Sequence, residues 1–284
     1  MTVVPSTHGE RLAAFENVNF SYEDGTEALR GITLDIRKGE QIALVGGNGS
    51  GKTTLAKHLN GLLKPTTGRV IVKGSDTRKE QVANLARIVG YVFQNPDHQL
   101  FCSTVAEEVR FGPMNFGLAE PEVERRTERA LEIMTLERLK AEAPLSLSLG
   151  DRRRISIASV IAMAPEVIIL DEPFTGLDAG EAESLMDVMR EMNRQGTTII
   201  LITHDMRVVA EHSDRVIVLS HGRKVFDSKT RTAFSDLKLL RECGLIPPPA
   251  IQVAHHLREY GVSPEITTVE ELADELARVL REQQ

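Results

Sequence analysis

Eight consecutive residues, Gly46-Gly47-Asn48-Gly49-Ser50-Gly51-Lys52-Thr53, fit the phosphate-loop pattern G-x-x-x-x-G-K-[ST]. Glycines let a loop curl around a phosphate with its backbone N–H groups pointing inward. A helix that starts at the loop adds the positive end of its dipole to the same spot. Lys52 brings a full charge to the β- and γ-phosphates, and the Thr53 hydroxyl is a ligand for Mg²⁺. Gly46 through Thr54 therefore form a candidate nucleotide-phosphate site. The alternative is a glycine-rich turn with a chance lysine.

Further groups fit the same chemistry. Asp171-Glu172 ends an apolar run, Val167-Ile168-Ile169-Leu170. In a phosphate-loop protein such a carboxylate pair has two uses: Asp171 holds Mg²⁺ and Glu172 polarises the attacking water. Read alone it is a strand-end turn. His204 follows another buried strand, Thr197–Ile202, at the edge where ligands bind in α/β sheets; it either touches a γ-phosphate or is a plain surface residue, and its position favours the first. Gln94 follows the run Val89–Phe93; it either reaches a metal or a water, or belongs to an ordinary polar loop. Tyr22 either stacks on an adenine base or serves as an edge-strand aromatic.

Those residues need strands and helices to place them. Ile42-Ala43-Leu44-Val45 reads as a buried strand before the loop, and Thr54–Leu59 as the first turns of a helix. Residues 11–45 otherwise read as β structure, with a hairpin signal at Asp24-Gly25. From 104 to 163 charged residues interleave with Leu, Val, Ile and Met at helical spacing, which predicts a helical insertion. Arg152-Arg153-Arg154 is expected to pair with local carboxylates and to open an amphipathic helix through Met163. A helix is expected over roughly 181–194, and Val216–Leu219 with Lys224–Phe226 closes as a hairpin. Pro247-Pro248-Pro249 reads as a rigid link, followed by a short helix and a last helix opened by a capping box at Thr268–Glu271. This tail reads as a packing or dimerisation element.

The chain of 284 residues has room for one large domain and a smaller one, and 41% hydrophobic with 26% charged residues is ordinary for a globular protein. No run approaches the roughly 18 apolar residues of a membrane span. Met1–Glu10 is polar and lacks the layout of a signal peptide. A net charge of −7 argues against a generic polyanion binder, and no nucleic-acid partner is expected. Cys102 and Cys243 fit no metal or disulfide framework and are expected as reduced thiols of a cytosolic protein.

The phosphate loop, Gln94, the stretch Leu147-Ser148-Leu149-Gly150-Asp151, Asp171-Glu172, Asp178 and His204 stand in an order that resembles the ATP-binding-cassette (ABC) ATPases, over about residues 11–227. More narrowly, Phe93–Phe101, Glu107–Pro113 and Cys243–Pro248 resemble the ATPase subunits of energy-coupling-factor (ECF) transporters, including their cobalt and nickel branch. The resemblance implies an α/β P-loop cassette over residues 1–229: a RecA-like parallel sheet core, an N-terminal antiparallel β subdomain and a helical subdomain at about 104–163. A helical extension over 230–284 completes it and helps hold the ATPases together. Two nucleotide-binding subunits are implied to sandwich two ATPs with Mg²⁺. Each ATP lies between the phosphate loop of one subunit and Ser148, Leu149, Gly150, Asp151 and Asp178 of the other, with Thr53, Gln94 and Asp171 on the metal. Asn95, Pro96, Asp97, Gln99, Leu100 and Phe101 are implied to form a groove for a transmembrane subunit, which works with a substrate-binding membrane subunit. The implied place is the cytoplasmic face of the cell membrane.

Leu149 stands where that family carries the first Gly of Leu-Ser-Gly-Gly-Gln, and Asp151 replaces the Gln. If the backbone there needs positive φ, a branched side chain costs about 1–2 kcal/mol; if it lies against nucleotide, it clashes. A heterodimer tolerates this when the partner supplies a standard signature. Two other readings compete with an importer motor: an ABC ATPase acting on ribosomes or nucleic acid, and a regulatory subunit with a weakened site.

Overall fold

The computed structural model describes residues 9–282; the polar stretch Met1–His8 lies outside them. β1 (Arg11–Ser21) and β2 (Glu27–Arg37) form an antiparallel hairpin in which apolar residues alternate toward one face. Its turn is held by the Gly25 N–H donating to the Tyr22 carbonyl at 3.0 Å and by the Asp24 carboxylate accepting from the Thr26 N–H at 2.8 Å. β3 (Gln41–Val45) then enters a different sheet and delivers the chain to the glycine loop and α1 (Lys52–Leu59). β4 (Thr67–Val72) and β5 (Ser75–Asp76) return to the first sheet, whose order is β2-β1-β4-β5.

α2 (Val82–Ala86) leads to β6 (Val89–Val92). Then come α3 (Val105–Asn115), α4 (Glu120–Ile133) and α5 (Leu149–Met163). β7 (Val167–Asp171), α6 (Ala179–Arg194), β8 (Thr198–Ile202), α7 (Met206–His212), β9 (Arg215–Ser220) and β10 (Arg223–Lys229) complete the second sheet and its helices. Its order is β10-β9-β3-β8-β7-β6, with only the β10–β9 pair antiparallel. β3, β7 and β8 are apolar nearly throughout because both faces are covered, as a parallel sheet requires.

Alternate side chains of these strands serve different cores. Ile42, Leu44, Ile169, Ile200 and Ile202 pack with Leu55 and Leu59 of α1 and with the antiparallel sheet. Ile168, Leu170, Ile199 and Leu201 pack against α3–α6. α5 differs from the amphipathic helix expected there. It starts at Leu149, and every residue from Ile155 to Val160 is buried, because helices and sheet enclose it on most sides.

The C-terminal part is helical, as expected, and packs in two places. α8 (Thr230–Ser235), α9 (Leu237–Glu242) and the start of α10 (Pro249–His256) bring Phe234, Leu240, Leu245 and Ile251 onto Ala43, Val45, Val216 and Val218. Packing therefore carries the main core to about residue 251. Only Ala250, Ala254, Val262, Ile266, Leu272 and Val279 form a small separate core with α11 (Val269–Glu282). Pro247 and Pro248 lie in the connection between α9 and α10; Pro248, with φ −53° and ψ 147°, stands at the N-cap of α10 and Pro249 is its first residue, where a missing N–H costs nothing. The capping box at Thr268 is half formed. The Thr268 hydroxyl accepts from the Glu271 N–H at 3.2 Å, while the Glu271 carboxylate turns to the Thr267 N–H and Arg231.

Phe234 is fully buried against the sheet. Phe234→Ala is expected to lower unfolding free energy by about 3–5 kcal/mol in chemical denaturation of the whole chain. A change below about 1 kcal/mol would mean that residues 230–251 are not part of the main cooperative unit.

Candidate nucleotide site

The phosphate loop lies between β3 and α1, and its glycines have conformational and steric reasons. Gly46 has φ 147°, and a Cβ there would stand 2.2 Å from the Leu219 carbonyl oxygen. Gly51 has φ 103° at the N-cap of α1, and its Cβ would stand 2.6 Å from the Ala28 carbonyl oxygen. No side chain caps α1, so its first-turn N–H groups remain available to an anion. The Ser50 hydroxyl is buried without a hydrogen-bond partner among the described residues. Gly47, Asn48 and Gly49 are exposed. Lys52 bends back over the loop and donates to the Gly46 carbonyl at 2.9 Å and the Gly47 carbonyl at 3.0 Å. Burial pushes its pKa down, against the opposing pull of Glu172 and Asp171.

Asp171 closes β7 at 2% exposure. Its Oδ2 accepts from the Thr53 hydroxyl at 2.9 Å and from the Tyr91 hydroxyl at 2.8 Å. Thr53 and Asp171 are hard oxygen donors within hydrogen-bond distance, which fits Mg²⁺. Tyr91 carries a role the sequence reading missed. Its signal was a polar-tipped aromatic inside the apolar run Val89–Val92, but its target became visible only when β6 paired with β7, Tyr91 opposite Ile169. Burial, then the Asp171 charge, push the Tyr91 phenol pKa up, so it stays a donor.

Glu172 sits just past β7 with φ 49°, a left-handed backbone that is uncommon for a non-glycine residue. Its N–H donates to the Ile202 carbonyl at 2.9 Å, which ties the ends of β7 and β8 together. Glu172 Oε1 and His204 Nδ1 are 2.9 Å apart; the Glu172 side chain is 16% exposed and that of His204 79%. Lys52, Thr53, Asp171, Glu172 and His204 thus gather at one sheet edge. Tyr22 touches the same edge. Its hydroxyl is 2.8 Å from the Thr54 hydroxyl, and its ring meets Phe20 edge-on with centroids 4.9 Å apart. Gln94 is exposed and its side chain forms no hydrogen bond among the described residues.

Ser148 caps α5: its hydroxyl accepts from the Asp151 N–H at 3.1 Å and donates to Asp151 Oδ2 at 2.6 Å. Leu149 is the first residue of that helix and Gly150 follows it, buried. Leu149 has no positive φ, so the strain expected of a side chain there is absent. Its side chain packs on Gly176, where a Cβ would stand 2.7 Å from Leu149 Cδ2. Asp178 caps α6 in a reciprocal box with Glu181, at 2.8 and 3.1 Å. Among the described residues, no hydrogen bond or ion pair joins Ser148–Asp151 or Asp178 to the phosphate loop of the same chain.

The stretch read as a partner groove divides. Asn95 and Asp97 are exposed, and Phe101, 63% exposed, stacks edge-on against Phe111 at 4.7 Å. Pro96 and Leu100 turn inward and are buried, and the Gln99 amide donates to Ser156 O at 2.8 Å and Ser159 Oγ at 3.0 Å. These three residues support the surface rather than form it. Of the arginine triplet, Arg152 pairs with Asp97 at 2.7 Å and Arg154 with Asp151. Arg153 departs from the expected carboxylate pairing: it is buried and donates to main-chain carbonyls. No helix among the described residues is long and apolar enough to cross a membrane.

The family model described as "ABC transporter" matches residues 29–175. A putative ABC transporter ATP-binding protein of Caldanaerobacter subterraneus is 46% identical over 259 residues, 91% of this chain and 46% of that protein. The chain spans about half the length of the first curated relatives it matches. The energy-coupling factor transporter ATP-binding protein EcfA of Methanothermobacter thermautotrophicus is 41% identical, over 93% of this chain and 86% of that protein. Among solved structures, cbiO1 from Clostridium perfringens, part of the ABC transporter complex cbiONQ, aligns with TM-score 0.73 and 36% identity, covering 88% of this chain and 99% of that one. With a phosphate loop, a strand-end Asp171-Glu172 pair and His204 assembled on this fold, the chain belongs to the ABC transporter family of ATPases.

Proposed function

We propose that this chain is the nucleotide-binding subunit that energises an ECF-type membrane importer of vitamins or transition-metal ions such as cobalt or nickel. One observation carries the reading: the phosphate loop, Asp171-Glu172 and His204 converge at one sheet edge, on a chain 41% identical to an energy-coupling factor ATPase over 86% of that protein's length. It acts at the cytoplasmic face of the membrane, bound to a transmembrane subunit that works with a separate substrate-binding membrane subunit. The exposed apolar pair Phe101 and Phe111, on a segment that also exposes Asn95 and Asp97, supports docking of that transmembrane subunit.

ATP is the substrate. Backbone N–H groups of Gly47–Thr53 and the α1 terminus hold its phosphates, with Tyr22 beside the base and Thr54 placed by the Tyr22 hydroxyl. Lys52 exchanges the Gly46 and Gly47 carbonyls for the β- and γ-phosphates. Thr53, Asp171 and Gln94 would hold Mg²⁺, which would supply positive charge to the phosphate oxygens. Glu172 orients the attacking water and accepts its proton, and His204, already bonded to Glu172, stabilises charge on the transferred phosphoryl group.

Ser148, Leu149, Gly150, Asp151 and Asp178 face a second ATPase subunit, identical or related, and complete its site. That assignment is supported by the order of these motifs, which resembles the ABC ATPases. ATP favours the closed pair only to the extent that it binds that state better, and hydrolysis removes the bridge. The resulting opening and closing moves the membrane partner. The helical backbone of Leu149 supports a working signature turn in place of a regulatory, weakened one.

Glu172→Gln is expected to cut ATP turnover about 10²–10⁴-fold while nucleotide binding is kept; unchanged turnover would remove Glu172 from the mechanism. A mild-detergent pull-down from native membranes, read by mass spectrometry, is expected to recover a polytopic transmembrane subunit and a small substrate-binding membrane protein. Ribosomal or DNA-repair partners in the soluble fraction would overturn the transport reading and favour a nucleic-acid machine.

A further inference from the structure

Arg153 is a full positive charge at 1% exposure in the middle of the protein. It lies on α5, one turn beyond Ser148, and forms no ion pair within 4 Å among the described residues. Instead its two terminal nitrogens donate to consecutive main-chain carbonyls, Phe93 at 2.8 Å and Gln94 at 2.5 Å. A planar guanidinium fork fixes the direction of both contacts at once, which a freely rotating ammonium does not. Burial pushes the Arg153 pKa down, and the charges of Asp171 and Glu172 pull it back up, so the guanidinium also sits within electrostatic reach of both reacting-edge carboxylates.

The neighbouring bonds run the same way. Arg152 reaches Asp97, the Gln99 amide reaches Ser156 and Ser159, and Glu108 of α3 accepts from the Phe101 and Cys102 N–H groups at 2.8 Å each. Among the described residues, the side-chain hydrogen bonds that leave segment 94–102 run to α3 and α5, apart from the Phe93 N–H just past β6, which donates to Gln99 Oε1 at 3.3 Å. The Gln94 side chain has no partner there, so its position depends on where its main chain is held.

We propose that Arg153 is a positioning residue for ATP hydrolysis: its fork locks the Gln94 main chain to α5, so that Gln94 and the Ser148–Asp151 turn move as one body. The segment touched by the membrane partner is thereby joined to two sites at once: Gln94 in its own subunit, and the turn that faces the other subunit. The catalytic part of this proposal rests on Gln94 acting at the metal, as read above; the mechanical part does not.

The test uses the full-length chain with Arg153→Lys, which keeps the charge but is shorter and lacks the planar fork, and Arg153→Gln, which keeps one donor group without the charge. In the nucleotide-free protein, amide hydrogen exchange of the 94–101 peptide is expected to speed up by about ten-fold or more in either variant, while the β7 peptide is unchanged. Turnover of Arg153→Lys is expected to fall about 10–100-fold with the KM for ATP nearly unchanged. The double variant with Gln94→Ala is expected to stay within about two-fold of Gln94→Ala alone. Unchanged exchange at 94–101, exchange that rises equally throughout α3–α5 and β7, or losses that multiply in the double variant would each overturn the lock. Failure of Gln94→Ala alone to slow turnover would instead refute the Gln94 reading, and the exchange data would still decide the mechanical part.

Discussion

A buried carboxylate needs partners, and the way Asp171 finds them organises this protein. An ionised group at that depth is costly unless hydrogen bonds replace its water. Asp171 receives one from Thr53 at the start of α1 and one from Tyr91 on β6. Three elements far apart in sequence therefore meet at one oxygen. Because β3, β7 and β8 run parallel, their C-terminal ends emerge at the same edge, so the phosphate loop, Asp171-Glu172 and Thr203-His204 are delivered together. The buried strands behind them, packed on both faces, make that edge rigid.

The groups proposed to react are bonded to one another or to their own loop. Lys52 is occupied by its own loop carbonyls, Thr53 by Asp171, and His204 by Glu172. The left-handed backbone of Glu172 stores local strain at the residue read as the water-activating group, and the Ile202 carbonyl holds it there.

The stretch proposed to complete a second subunit's site is held through another set of contacts. α3 and α5 hold segment 94–102 through charged and amide side chains, and α5 begins with the Ser148 turn. Leu149 reaches from that turn to Gly176, next to Asp178. A substitution that looks damaging against the family pattern thus lies in an unstrained helical first turn and contributes an apolar contact between the signature turn and the segment leading into α6. The C-terminal helices α8 to α10 cover, over β3 and β9, the same sheet face that α3–α6 cover over β7 and β8, and α11 closes a smaller core beyond them.

The local, short-range features were open to reading in the chain itself. The phosphate loop declares itself because backbone curvature demands glycine at 46 and 51. The buried strands declare themselves because burial on both faces demands unbroken apolar runs. Asp171-Glu172 and His204 follow those runs directly, so their places at the sheet edge were also legible. Contacts between distant segments were not. Nothing near Tyr91 in sequence points to Asp171, and nothing in Arg152-Arg153-Arg154 says that the middle arginine is buried on carbonyls 59 and 60 residues away while its neighbours face carboxylates. Likewise Phe234 and Leu240 look like part of a tail until the sheet face they cover is seen. Local sequence determined the elements and the chemistry each carries, because dihedral preference and burial pattern act over a few residues. Only the tertiary structure decided which polar groups satisfy one another across the core, because that pairing depends on strand register and helix packing.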